Sequence, residues 1–339
     1  MIWIRADANK KIGTGHVMRC LSVAKALQQR GEQVCFLVAD ANAVQLLESH
    51  GQAYRILNSD YMNPETEVPQ LKKMYLTDNP RIVLVDSYFA TPDYIRGMRE
   101  FVPVGYMDDT GRTDLSVDIL INYNIFAKKA LYCNQDIHTK YLLGLQYVPL
   151  REEFREIEYK VKEKAERVLL TTGGSDKYNL AGLLLRSSLE NKETAELRYS
   201  VVSGIYNPYS DDLLQIAKRH KNVEIHCNVS NMSELMQESD IAVSAGGSTL
   251  YELAAVGVPM ICFSFVDNQE RIVEGFCEQQ LVCYGGNYLL QKESMITEVV
   301  EHMAKLAGDN ELREIYSRRQ RAIVDGQGAA RIAGEFMKL

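Results

Sequence analysis

The opening run Met1-Ile2-Trp3-Ile4-Arg5-Ala6 is almost wholly apolar, and a helical pattern with Val17, Leu21, Ala24 and Leu27 on one face follows it closely. A strand without polar alternation has both faces buried, the condition of a parallel sheet covered by helices. The same order recurs at 34–38, 53–57, 81–86, 102–107 and 119–121. It restarts at 168–172 and continues through 199–203, 223–226, 241–244 and 260–265. Strands alternating with helices in this way predict an α/β fold built on parallel sheets. A chain of 339 residues is long enough for two separate cores. The charge-dense stretch 151–167 parts the two series. The expected organisation is therefore a domain over 1–150 and a junction over 151–165. A second domain over 166–325 follows, then a terminal helix within 326–339, placed to pack back on the first domain.

Between the first strand and its helix lies Ile12-Gly13-Thr14-Gly15-His16-Val17-Met18-Arg19-Cys20. A strand, a glycine loop and a helix in that order bring backbone N–H groups and a positive helix end to one spot. Three readings are open. The first is a glycine turn with an incidental histidine, since such turns are common. The second is a dinucleotide site, because Gly13-x-Gly15 begins a G-x-G-x-x-G pattern and Asp40 ends the next strand. Against it, Met18 stands where the third glycine would let helix and strand pack closely. The third, preferred here, is catalysis on a phosphorylated or nucleotide-linked substrate with His16 as general base. A helix N-terminus disfavours the imidazolium, so His16 is expected to be neutral.

Loops of a parallel sheet collect at the carboxyl ends of its strands. Asp86-Ser87-Tyr88 and Asp108-Asp109-Thr110-Gly111 then share the rim with His16. Tyr88 reads equally as a half-buried aromatic or a substrate contact. Asp108 and Asp109 read first as turn caps, and an isolated pair is a poor metal site. In the second half, Gly173-Gly174-Ser175-Asp176 and Gly246-Gly247-Ser248-Thr249 each precede a helix, the latter as an anion cradle. Glu252, three residues past Thr249, fits a capping box or a contact to a ribose diol. Arg151 fits a solvated charge or a place beside an interdomain cleft.

Composition narrows the partners. The net charge is −7, and residues 1–150 carry equal numbers of acidic and basic side chains, so the excess lies beyond them. Nothing favours nucleic acid or an anionic membrane. The longest apolar runs fall well short of the ~18 residues of a membrane span. Seven cysteines without a C-x-x-C pair read as thiols of a reducing cytoplasm, and Met1 already begins the first strand, leaving no leader peptide. The oligomeric state has no signal in the sequence. No metal or cofactor is expected: P-loop, H-E-x-x-H and EF-hand patterns are missing, and His220 and His226 lack a zinc spacing. Only one candidate base emerges and no carboxylate pair, which points to a single displacement with inversion. Backbone amides at the two glycine pairs would stabilise a leaving phosphate.

The two halves in order resemble the glycosyltransferase-B architecture, in which two Rossmann-like domains face each other over a cleft. Residues 244–254, Ser-Ala-Gly-Gly-Ser-Thr-Leu-Tyr-Glu-Leu-Ala, resemble the nucleotide-sugar motif of the MurG-like transferases. Arg5-Ala6-Asp7-Ala8 with residues 12–20, Gly173-Gly174-Ser175-Asp176 and Asp267-Asn268-Gln269 resemble the UDP-sugar hydrolases of pseudaminic acid biosynthesis, over essentially the whole chain. The resemblance implies release of UDP from a UDP-linked diacetamido-trideoxy sugar. It implies His16 as the base that activates water, with Tyr88 and Asn268 near the sugar. The helix after Gly246 and Gly247, with Ser248 and Thr249, would hold UDP, with Glu252 on the ribose. Gly13, Gly15, Arg151, Gly173, Gly174, Ser175 and Gln269 would complete the substrate contacts. A MurG-like transferase using the same donor is the alternative, as is a relative of the spore-coat polysaccharide proteins, which share the N-terminal motif. Two stretches depart from the hydrolase pattern: Lys177-Tyr178 stand where a proline is usual, and Leu250-Tyr251-Glu252-Leu253 replace Trp-Glu-Arg-Cys.

Overall fold

The computed structural model describes residues 1–132, 138–174, 176–204, 207–227, 229 and 231–339, with Asn268 placed by its backbone alone. The chain divides into two compact units, Met1–Glu152 with Gly326–Leu339, and Glu153–Asp325. The first runs β1 (Ile2–Ala6), α1 (Gly15–Gln28), β2 (Val34–Val38), α2 (Val44–Ser49), β3 (Ala53–Ile56), α3 (Val68–Asp78), β4 (Val83–Asp86), α4 (Pro92–Arg99), β5 (Val104–Met107), β6 (Ile119–Asn122) and β7 (Lys140–Leu143). The second runs β8 (Arg167–Thr171), α5 (Leu180–Glu190), β9 (Arg198–Ser203), α6 (Ser210–Arg219), β10 (Val223–Cys227), α7 (Met232–Glu238) and β11 (Ile241–Ala245). It continues with α8 (Thr249–Val256), β12 (Met260–Ser264), α9 (Asp267–Glu278), β13 (Cys283–Asn287), α10 (Tyr288–Gln291), α11 (Glu293–Gly308) and α12 (Asn310–Ile323). The last helix, α13 (Gly328–Phe336), belongs to the first unit.

Among the described residues, each unit holds one sheet, in the order β3-β2-β1-β4-β5-β6-β7 in the first and β10-β9-β8-β11-β12-β13 in the second. Every pairing is parallel. The fold is thus α/β with two Rossmann-like halves. All residues of β1, β2, β4, β5, β6, β11 and β12 are buried, which is why these runs lack alternation. The edge strands β3, β7 and β10 are partly exposed. Edge position explains why β7, which begins at the exposed Lys140, has no sequence signal of its own.

Trp3, Leu37, Val83, Val85, Tyr94, Met98 and Leu120 share one core cluster of the first unit. α1 buries its expected stripe, Val17, Leu21, Ala24 and Leu27, and also Cys20 and Val23, because α13 packs beside it. Two glycines admit α13: a Cβ on Gly105 would come 3.0 Å from Phe336, and one on Gly328 2.1 Å from the Val148 carbonyl oxygen. In the second unit Leu170, Val201, Val243 and Phe263 pack with Leu184, Val299 and Met303. The expected junction over 151–165 is corrected in one respect. From Glu153 onward the chain belongs to the second unit: the Tyr159 hydroxyl donates to the Ser239 carbonyl at 2.9 Å, and Lys162 pairs with Asp240 at 2.9 Å. No described helix is long and apolar enough to cross a membrane.

Candidate active site

In the first sheet the strand order reverses between β1 and β4, so the loops that follow these strands part and leave a crevice at the carboxyl rim. The register there sets Ala6 beside Asp86. His16, the second residue of α1, reaches the same point. Its Nδ1 lies 3.1 Å from a carboxylate oxygen of Asp86 and 3.2 Å from the Asp86 carbonyl oxygen. Both partners only accept, so Nδ1 carries the proton, and the neutral ring keeps its lone pair on Nε2. Nε2 is buried and has no hydrogen-bond partner among the described residues. The edge of the Tyr88 ring meets the imidazole, with centroids 4.5 Å apart at 77°.

Electrostatics correct the expectation of a histidine held neutral by the helix end. Burial works against the imidazolium, but the Asp86 carboxylate outweighs it, and the pKa of His16 is raised from its ordinary value. A carboxylate in contact acts more strongly than the partial charge of a helix terminus. Burial also works against charge on Asp86, yet Arg19 first and His16 second hold its carboxyl well below the usual range. The result is an ionised acid orienting an imidazole whose other nitrogen is free to take a proton. The sequence places Asp86 on this rim without giving it a role.

The neighbouring acids divide. Asp108 is the turn cap expected, accepting the N–H groups of Thr110, Gly111 and Arg112 at 2.9, 3.0 and 2.9 Å. Asp109 is not a cap of this kind: it accepts from the guanidinium of Arg19 at 2.7 Å and the Tyr88 hydroxyl at 3.2 Å. Burial, then Asp109, raise the Tyr88 phenol above its ordinary pKa, so it remains a donor. In the motif segment Arg5-Ala6-Asp7, Arg5 is buried between Glu67 and Asp7, and Asp7 accepts the Ala39 N–H at 2.8 Å. These two residues anchor the loop that carries His16. Gly13 closes that loop by a backbone pair with Asn9 at φ +74°, whereas Gly15 has neither positive φ nor a neighbour where a Cβ would be. Arg151 lies partly buried, outside any helix or strand, at the end of the first unit.

In the second sheet the order reverses between β8 and β11, and a glycine pair follows each strand. In the loop after β8, Gly173 and Gly174 have nothing within 4 Å of a Cβ position of their own, but the segment after β9 lies against their backbone. A Cβ on Gly204 would come 2.4 Å from the Gly173 carbonyl oxygen, a constraint the sequence reading missed. Asp176 accepts the N–H groups of Leu180 and Ala181 at 2.7 and 2.8 Å. Its carboxylate fills the start of α5, so of the two glycine pairs expected to stabilise a leaving phosphate, this one precedes a helix end that is already capped. Ser175 lies outside the described residues, as does the side chain of Asn268, the second residue of α9.

The loop after β11 stays open. Gly246 donates to the Phe263 carbonyl at 2.9 Å, and a Cβ there would come 2.4 Å from Val273, so close packing requires this glycine. Gly247 has no neighbour within 4 Å of a Cβ position. The N–H groups of Leu250 and Tyr251 turn back to Gly247 and Ser248, leaving those of Ser248 and Thr249 without a backbone partner among the described residues. Ser248 makes no side-chain cap, and α8 starts at Thr249, which makes Glu252 its fourth residue. The capping-box spacing counted from Thr249 is therefore not realised. Gln269 is beside this loop, its Oε1 accepting the Phe265 N–H at 2.9 Å.

Two all-parallel Rossmann-like halves are the fold of glycosyltransferase-B proteins. The crystal structure of MurG from Acinetobacter baumannii has a TM-score of 0.70 to this chain at 13% identity, covering 100% of this chain and 99% of that one. Residues 168–326 match the glycosyltransferase family 28 C-terminal domain. The spore coat polysaccharide biosynthesis protein SpsG of Bacillus subtilis is 24% identical over 344 residues, 100% of this chain and 98% of that protein. The UDP-2,4-diacetamido-2,4,6-trideoxy-β-L-altropyranose hydrolase of Campylobacter jejuni is 24% identical over 272 residues, 79% of this chain and 93% of that protein. The uncharacterised protein MJ1062 of Methanocaldococcus jannaschii is 25% identical over 274 residues, 77% of this chain, but the chain spans only 54% of that longer protein.

Proposed function

We propose that this chain is a nucleotide-sugar enzyme that hydrolyses a UDP-linked diacetamido-trideoxy sugar at its anomeric carbon. The observation that carries the reading is the buried, unpartnered Nε2 of His16, with Nδ1 committed to Asp86. Water gives its proton to Nε2 as its oxygen bonds the anomeric carbon. The bond from that carbon to the UDP oxygen breaks on the opposite face, and UDP leaves with the electron pair. Asp86 stabilises the imidazolium that forms, as the buried carboxylate of a triad does. The N–H groups at the start of α8 stabilise the departing phosphate, with Gly247 giving it room and Glu252 on the ribose. Tyr88 and Asn268 orient the sugar.

Transfer to an acceptor has the match to the glycosyltransferase family 28 C-terminal domain behind it. That match covers the half both readings use to hold UDP, so it does not favour one over the other. The experiment is incubation with a panel of UDP-amino sugars and no acceptor. Free UDP from one of them supports hydrolysis, and UDP released only once a lipid or sugar acceptor is added establishes transfer instead.

A further inference from the structure

We propose that Arg19 is a positioning residue that sets His16 and Tyr88 together, holding the first through Asp86 and the second through Asp109. The role rests on the reading of His16 as base, but its geometry stands apart from any substrate. Arg19 lies three residues after His16 on α1, one turn along the same face. Its Nε and one Nη form a fork on Asp86 at 2.6 and 2.5 Å. The other Nη turns to Asp109 at 2.7 Å and the Tyr123 hydroxyl at 2.9 Å. Asp86 receives His16 on the oxygen that also receives Arg19, and Asp109 receives Tyr88 in the same way. Tyr88 then meets the imidazole edge-on, which closes the ring of contacts.

Planarity matters here. A guanidinium presents separate edges in one rigid plane, whereas a lysine ammonium is a single point of charge. Lysine at this position would reach Asp86 or Asp109, not both in these directions. Without a cation the two carboxylates, 0% and 19% exposed, would face one another uncompensated. The groups that bear on the His16 charge are Asp86 on β4, Arg19 and Cys20 on α1, and Tyr88 and Asp109 on the rim loops. Of these, Arg19 is the one that disfavours the imidazolium by its charge. Removing it leaves burial alone to oppose Asp86.

The test is an NMR titration of the His16 ring in the wild-type chain, Arg19→Gln and Arg19→Lys, with His16→Asn identifying the signal. Arg19→Gln should raise the His16 pKa above its wild-type value. Arg19→Lys should leave that pKa near the wild-type value but change the Tyr88 ring resonances. On a hydrolysed UDP-sugar, Arg19→Lys should cut kcat roughly a hundredfold, the scale of a misplaced catalytic group, while KM changes little. An unmoved His16 titration in Arg19→Gln, or Tyr88 resonances unchanged in Arg19→Lys, overturns the proposal. If Arg19→Gln fails to fold, Asp109→Asn tests the outer arm, and unchanged Tyr88 resonances there overturn it equally. Should no UDP-sugar be hydrolysed by any variant while the titrations behave as stated, the hydrolase reading fails and the positioning role stands.

Discussion

Asp86 holds one nitrogen of His16 from two directions, its carboxylate at 3.1 Å and its own main-chain carbonyl at 3.2 Å. One residue thereby fixes both the tautomer and the tilt of the ring. The carboxylate can be removed by mutation; the carbonyl cannot. The imidazole of an Asp86→Asn variant should therefore keep its place better than it keeps its basicity.

Replacing His16 removes the proton acceptor and little else. A positioned base contributes ~10²–10⁴-fold to rate, so His16→Asn should lose turnover on that scale while UDP binds as before. Steady-state kinetics with calorimetric UDP binding checks this. Turnover above about a tenth of wild type would falsify the assignment.

The raised pKa of His16 also makes a statement about stability. The folded chain binds this proton more tightly than the unfolded chain, so the contribution is fully present below the ordinary value of 6.5 and disappears as pH rises through the folded value. The Tm of wild type should exceed that of His16→Asn by more near pH 5.5 than near pH 8.5. Activity runs the other way, because the neutral ring is the base: kcat/KM should climb with pH through a midpoint above 6.5.

The two glycines after β11 should separate packing from binding. Gly246→Ala forces a Cβ to 2.4 Å from Val273 and should cost about 1–3 kcal/mol, read as a lower Tm. Gly247→Ala meets nothing within 4 Å, so its Tm should stay put while UDP affinity falls. Unaltered UDP affinity in Gly247→Ala would remove the diphosphate from this loop.

Glu252 is the fourth residue of α8, one place past the position of a capping-box acid, because the helix is capped at Ser248 and not at Thr249. Glu252→Ala should weaken UDP binding and leave thermal stability unchanged. The opposite pattern would return the residue to a structural role.

Bond cleavage can be followed by isotope. In ¹⁸O-water with excess EDTA, the label should enter the sugar and not UDP, and activity should persist. Label in UDP would mean attack at phosphorus, and loss of activity under EDTA would mean a metal step.

Strands and their order of appearance were legible wherever both faces are buried, because a doubly covered strand is apolar at every position, as in β1, β2 and β11. The strand β7 escaped because an edge strand keeps polar residues. The stretch from β13 through α12 gave no expectation, although α11 spaces Met295, Ile296, Val299, Val300, Met303 and Leu306 at helical intervals. At the site, His16 could be found because a histidine after two glycines is a local pattern. Its partner could not, since Asp86 is 70 residues away and only the β1–β4 register joins them. Likewise nothing local distinguishes Asp109 from Asp108; the difference arises from Arg19, on another element. Asp176 misled in the opposite sense, because a glycine pair before a helix suggests a vacant helix end and says nothing of the carboxylate that fills it.

The placing of α13 bears on how the chain is made. The first unit stops at Glu152 and is completed only by Gly326–Leu339, whose Phe336 lies over Gly105 and whose helix covers α1. During synthesis the first unit must wait for residues 326–339, which are made only after the whole of the second unit. The second unit, continuous in sequence, can therefore close before the first, and a nascent chain carries the bare flank of α1 until α13 has been made.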